Sequence, residues 1–321
     1  MKIFILIIVV VLLTPSVNNA QELFPNTEPA SSIPKNVIGI RYIQHTFNEA
    51  TQVRNLFALR VMYGLTSRLS MMATPNVSNH HGRNFPDNLA THVHEGNQTI
   101  FSTGDTKTNN DYIYKFNGVN FYTKYRFLSN DGKNQHFRMA LYAQGTILNT
   151  AHTEAEPNLM DDNSGYGGGI ITTYLKNKFA VSFTGGYIVP MDKNGFVNDP
   201  DGSGPVPTRI KYGRAFEYNL SFGYLIWPRV YKSYNQTNWN IYMEFLGKSY
   251  SAAQITQYGF VNVPIATPLL QSGNYIDIVP GIQTIIKSNL RIELSARLPF
   301  YRKSYAFFYP LYALGVQWYF F

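Results

Sequence analysis

Residues 304–321 read SYAFFYPLYALGVQWYFF. From Leu311 onward, Tyr312, Leu314, Val316, Trp318 and Phe320 share one parity, while Leu311, Ala313, Gly315, Gln317 and Tyr319 share the other. That two-residue period is the signature of a β-strand with unlike faces. Such a strand at the end of a water-soluble chain would leave an open edge and an apolar face, both of which invite aggregation. In a bilayer the large residues face lipid, the aromatic end joins an interfacial girdle, and the edge closes against the first strand. The even set, ending at Phe320, is the expected lipid face because Gly315 and Gln317 suit an interior.

The rest of the composition agrees with a wall of such strands. Aromatic residues make up 15% of the chain and charged residues only 14%, against about 25% charged in ordinary soluble proteins. Mean hydropathy is nevertheless -0.18, and beyond the leader no apolar run approaches the roughly 20 residues that a spanning helix needs. A soluble sandwich or lipocalin-like barrel would point its apolar parity inward and carry a charged exterior. Here the second parity is small and polar.

Residues 1–20, MKIFILIIVVVLLTPSVNNA, have one Lys, an apolar core from Ile3 to Leu13 and a breaker at Pro15. They read as a signal peptide cleaved after Ala20, too short in its apolar core to span. Residues 21–36 read as a flexible periplasmic lead-in and residues 37–321 as the barrel. With no cysteine in the chain, lipidation, disulfides, thiol catalysis and cysteine metal sites are excluded. The net charge of +8 is scattered rather than gathered in a stripe, which argues against a nucleic-acid partner.

Alternation recurs along the chain. Phe57, Leu59, Val61 and Tyr63 oppose Ala58, Arg60 and Met62; Val119, Phe121, Tyr125 and Phe127 oppose Asn120, Tyr122, Lys124 and Arg126. Phe216, Leu220, Phe222 and Tyr224 oppose Glu217, Ser221 and Gly223, and Leu290, Ile292 and Leu294 oppose Arg291, Glu293 and Ser295. Short turns such as Ser129–Lys133 alternate with long polar segments at 76–110, 151–164, 191–211 and 251–274, which read as loops. The expected fold is an all-β, transmembrane, antiparallel up-and-down barrel of about twelve strands, with short periplasmic turns and long extracellular loops.

The inward parity supplies the candidate lumen residues: Arg41, Arg60, Lys124, Arg126, Arg138, Glu217, Glu244, Asp277, Arg291, Glu293 and Arg297. They make either a hydrated, mildly cationic path for polar or anionic solutes, or a network of pairs that fills a narrow barrel. His80, His81, His92 and His94 fall in one loop, where imidazoles two residues apart on an extended segment could chelate a transition metal. Ser78 beside His80 and His81 is a local candidate for a lipid hydrolase, although nothing in the order of residues supplies an orienting third group. No cofactor motif is present.

The run YGLTSRLSMMATPNVS (63–78), the pair YGGGIITTYLKNKFAVSFTGGYIVP (166–190) and the ending GVQWYFF resemble the phenol-degradation MetA-pathway-like outer-membrane proteins, a transporter-like family. The resemblance implies passage of small aromatic or apolar molecules across the outer membrane, and assigns no binding residue. Three readings follow: a passive channel for small solutes; a plugged surface-binding or structural barrel whose His-rich loop takes a ligand or metal; and a lipid hydrolase. Expected partners are outer-membrane lipid and glycolipid, the solute, and the barrel-assembly machinery through the aromatic C-terminal strand.

Overall fold

In a computed structural model of the chain, the described residues are 24–49, 52–79, 114–149, 157–160, 162–198, 205–230, 235–257, 260–261, 270–303 and 310–321. They form sixteen strands: β1 (Ile38–Glu49), β2 (Gln52–Gly64), β3 (Leu69–Ser78), β4 (Lys115–Asp131), β5 (Gln135–Leu148), β6 (Gly165–Lys176), β7 (Phe179–Pro190), β8 (Lys193–Asn198), β9 (Pro205–Lys211), β10 (Ala215–Trp227), β11 (Asn238–Tyr250), β12 (Gln254–Gln257), β13 (Phe260–Val261), β14 (Gly273–Ile286), β15 (Leu290–Lys303) and β16 (Leu311–Phe320). Twelve of them close an antiparallel barrel in the order β1-β16-β15-β14-β11-β10-β7-β6-β5-β4-β3-β2. Closure is made by the last strand on the first, with Ile38 opposite Phe320 and Phe47 opposite Leu311.

The outer wall is apolar all round. Leu59, Val61, Met71, Phe121, Tyr125, Leu141, Phe183, Phe216, Tyr224, Ile241, Leu294, Tyr312, Trp318 and Phe320 are exposed, while Gln317 and Tyr319 on the opposite parity are buried. A continuous exposed apolar belt on a closed sheet is the surface that hydrocarbon covers. The packed core therefore lies inside the barrel. Short turns, such as 65–68, 132–134, 177–178 and 287–289, share the near rim with Asn36, Phe321, the end of β10 and the start of β11, and the far rim is where β3 ends and β4 begins, and β5 ends and β6 begins.

Two expectations are corrected at the far rim. The first hairpin is tight there, since β1 runs on to Glu49 and pairs with Gln52; Gln44 to Asn48 are polar on the outer parity yet stay in the ladder, extending the wall beyond the apolar belt. The segments 191–211 and 251–274, read as loops, hold a separate four-stranded sheet in the order β13-β12-β9-β8. Val206, Thr208 and Ile210 are buried while Pro207, Arg209 and Lys211 are exposed. Ile210, Tyr212, Ala253, Ile255 and Leu270 form the small core that holds that sheet together.

Candidate functional site

The lumen is occupied by the chain itself. Residues 24–36, the described part of the segment 21–36 expected as a flexible periplasmic lead-in, cross the interior near the near rim. Asn36 is tied to the rim by its N–H to the Gly64 carbonyl at 2.8 Å, and Ile33 packs with Val37, Met62, Met72 and Tyr319. At its other end Phe24 is 1% exposed and packs edge-on against Tyr242 with ring centroids 6.0 Å apart. Gly223 makes the room: a Cβ there would stand 3.3 Å from both the Phe24 and Tyr242 rings.

A buried segment without regular structure must find partners for each backbone group. Three prolines, Pro25, Pro29 and Pro34, remove donors from this one, and the wall supplies the rest. The Ala30 N–H donates to Thr173 Oγ1 and the Ile33 N–H to Ser70 Oγ, each at 2.9 Å. The Pro25 carbonyl accepts from Arg41 at 2.5 Å and the Pro29 carbonyl from Lys124 at 2.7 Å. Arg138 donates to Ser31 Oγ at 2.9 Å.

Two carboxylates hold the middle. Glu244, wholly buried on β11, accepts from the Asn26 N–H at 3.1 Å and its side-chain amide at 2.8 Å, from the Thr27 N–H at 3.1 Å and hydroxyl at 2.9 Å, and from Ser221 at 3.2 Å. Glu28, on the segment itself, pairs with Arg60 at 2.7 Å and Lys124 at 3.2 Å.

From the far rim, residues 157–160, 162 and 163 lie inward. Leu159 packs with Ile188, Ala215, Tyr250 and Tyr275. The Met160 carbonyl accepts from Asn76 at 2.7 Å and the Pro157 carbonyl from Lys248 at 2.8 Å. Between this loop and residues 25–28 lies a chamber of about 280 Å3. Arg41, Arg60, Glu217, Lys248, Glu293 and Arg297 bring charges of both signs to its wall, and Tyr122, Tyr142 and Tyr275 bring rings. Tyr142 stacks on Tyr122 at 5.2 Å and lies across Gly186, where a Cβ would overlap its hydroxyl.

Most of the sequence-derived lumen residues are joined in pairs. Arg41 and Arg291 both meet Glu293; Arg297 meets Asp277 at 2.6 Å, with Arg302 on the same carboxylate at 3.1 Å; Glu217 meets Lys248 at 3.5 Å. Arg126 and Arg138 stand at the near rim instead, Arg126 on the Ser67 carbonyl at 2.9 Å and Arg138 on Asp131 at 2.9 Å. Sequence reasoning placed Tyr122 on the inward parity and read 151–164 as a loop, but missed Glu28, Tyr142, Tyr275 and the inward course of residues 157–160. A carboxylate between two prolines, just ahead of a barrel whose candidate lumen cations outnumber its carboxylates, is the signal that points to Glu28.

Asp131, beyond the apolar belt, is also hydrogen-bonded by Ser129 at 2.6 Å and His136 at 2.8 Å. Partial burial alone would raise its carboxyl, but those bonds and the Arg138 charge outweigh it and hold the group down at about 2. The four histidines offered as metal ligands, His80, His81, His92 and His94, lie outside the described residues. Ser78, the hydrolase candidate, is a buried residue ending β3.

This is the architecture of an outer-membrane β-barrel, and a solved structure is similar to it in fold. An outer-membrane channel from Pseudomonas putida F1, of the group COG4313, is similar over 93% of this chain and 99% of its own, with a TM-score of 0.50 at 12% identity. A KdgM porin is similar over 87% and 98%, with a TM-score of 0.37 at 7% identity. The toluene transporter TodX of Pseudomonas putida matches over 88% of each chain, with a TM-score of 0.34 at 12% identity. No protein family matches the sequence, and no curated protein does.

Proposed function

We propose that this chain is a passive channel of the outer membrane for small solutes, in which residues 24–36 are a displaceable gate. The near rim, with its short turns, faces the periplasm, and the leader at residues 1–20 is removed on export. The observation that carries the reading is the chamber of about 280 Å3 held between the segment and the inward loop. A barrel that served only as a structural wall could fill that volume with side chains, as narrow barrels do.

The chamber is just below the size of pockets that take drug-sized ligands, which limits the solute to a small molecule. Its mixed charges and tyrosines fit a polar solute that also carries some apolar surface, and accommodate the aromatic class implied by the MetA-like resemblance only when polar groups are attached. Up to Ile33 the gate is held by side-chain bonds rather than by a sheet ladder, so it can leave without opening the wall, hinged where Asn36 is tied to Gly64. Nothing in the transport reading requires catalysis.

Liposomes holding the purified barrel are expected to admit small labelled solutes and exclude large ones. A second reading, a plugged binding or structural barrel, is favoured by the number of bonds that hold the segment. It replaces the first if liposomes stay sealed even after those bonds are cut by mutation.

A further inference from the structure

The lumen charges divide into two groups. Arg41 and Arg291 share Glu293, Arg297 and Arg302 share Asp277, and Lys248 has Glu217, so each of these cations has an acidic partner on the wall itself. Arg60 on β2 and Lys124 on β4 are different. Their acidic partner is Glu28, and among the described residues no carboxylate of the wall pairs with either.

Lys124 is 1% exposed at its side chain, so an ammonium left there without an anion would be strongly destabilising. If the segment moves aside, Glu28 goes with it. Something negative must then take its place, and the chamber opens on the spot, because Glu28 and Arg60 both line it.

We infer that Arg60 and Lys124 form a carboxylate subsite of the transport path, that Glu28 is its built-in occupant, and that the solute is a small organic carboxylate which displaces Glu28. The inference rests on the channel reading above. Exchange of one carboxylate for another keeps Lys124 paired throughout, so the incoming anion replaces the bonds that its entry breaks. Opening is thereby coupled to the arrival of the right charge. On the opposite wall Glu244 loses the donors of Asn26 and Thr27 in the same movement, so hydroxyl or amine groups at the far end of the solute would be taken up there.

The test uses the full chain in liposomes and compares uptake of radiolabelled glucuronate and glucose, which differ by a carboxylate in place of a hydroxymethyl and do not cross a bare bilayer. Retention of heat-modifiable mobility on gels checks that each variant is folded. The wild type is expected to favour glucuronate by about tenfold or more, the lower end for one charge-assisted hydrogen bond. In Glu28→Gln the glucuronate concentration for half-maximal rate should fall, because the internal competitor is gone. In the double variant Arg60→Gln/Lys124→Gln the preference should vanish.

Equal uptake of the two sugars by the wild type, or a preference that survives in the double variant, overturns the carboxylate subsite and leaves the channel standing. Exclusion of both sugars by the wild type and by Glu28→Gln removes the channel reading and the subsite with it.

Discussion

Thr27 donates both its N–H and its hydroxyl to Glu244, at 3.1 and 2.9 Å, across the interior of the barrel from a residue 217 positions later in the chain. The bond joins a segment outside the sheet to the middle of β11, and it makes Glu244 the main latch of the gate. Glu244→Ala should leave the Asn26 and Thr27 donors without their acceptor at a cost of about 2–4 kcal/mol. Amide hydrogen exchange at those two residues is expected to quicken by about a hundredfold, with the barrel amides unchanged. Unchanged exchange at Asn26 and Thr27 would show that the latch lies elsewhere.

Phe24 is the apolar half of the anchor. Phe24→Ala empties the space beside Tyr242 and Gly223, a loss of about 3–5 kcal/mol by analogy with other buried aromatics. Because the ring sits on the gate and not in the wall, that loss should fall on docking of the segment. The chain has no cysteine, so a single Cys introduced at the buried Thr27 reports docking by its rate of thiol labelling. Labelling should be slow with Phe24 present and fast without it, while the folded barrel survives equally in both.

Leu294 and its neighbour Ser295 test which face meets lipid. Leu294 is 54% exposed, and Ser295 lines the chamber. Leu294→Arg should cost about 2–4 kcal/mol of folding stability in bilayers if that position is near the midplane. Ser295→Asn, one residue away, should be nearly neutral for folding and alter conductance instead. Equal destabilisation by the two would contradict the assigned faces.

At the near rim the Asp131 carboxyl is held at about 2, below the roughly 3.9 of an unfolded aspartate. A depressed carboxyl contributes stability that is fully present above the unfolded value and is lost as pH falls through the folded one. The β4–β5 turn should therefore hold its arrangement down to about pH 4 and loosen as pH falls toward 2. Asp131 is 40% exposed at its side chain, so the effect is local and screened by salt. Proton exchange at Gly132 across that range measures it, and Asp131→Asn should abolish the pH dependence.

The wall was legible in the sequence because lipid and lumen impose opposite demands on alternate residues. Tyr312, Trp318 and Phe320 against Gly315 and Gln317 fixed the register of the closing strand, and glycines 167–169, which blur the alternation of β6, keep their place in the ladder beside Gly185 and Gly186. The gate was not legible in the same way. Residues 25–34 have no period, because their partners are single side chains on eight separate strands: Arg41, Arg60, Ser70, Lys124, Arg138, Thr173, Ser221 and Glu244 on β1, β2, β3, β4, β5, β6, β10 and β11. Proline and serine, which read locally as a flexible tether, serve here as donor-poor backbone and short-range polar contacts in an enclosed space. The far-rim sheet escaped notice for a simpler reason: four short strands interrupted by NDPDGSG carry too little alternation each to be distinguished from loop.

Control of passage by the segment 24–36 is open to direct test by one cross-link. The hydroxyls of Thr27 and Ser221 are 2.8 Å apart, so Thr27→Cys/Ser221→Cys places two thiols within reach of a disulfide in a chain that otherwise has none. Conductance of the oxidised double variant in planar bilayers should be low, and should rise on reduction and fall again on reoxidation. A conductance that is the same in both states, with the cross-link verified by mass, would contradict the gate.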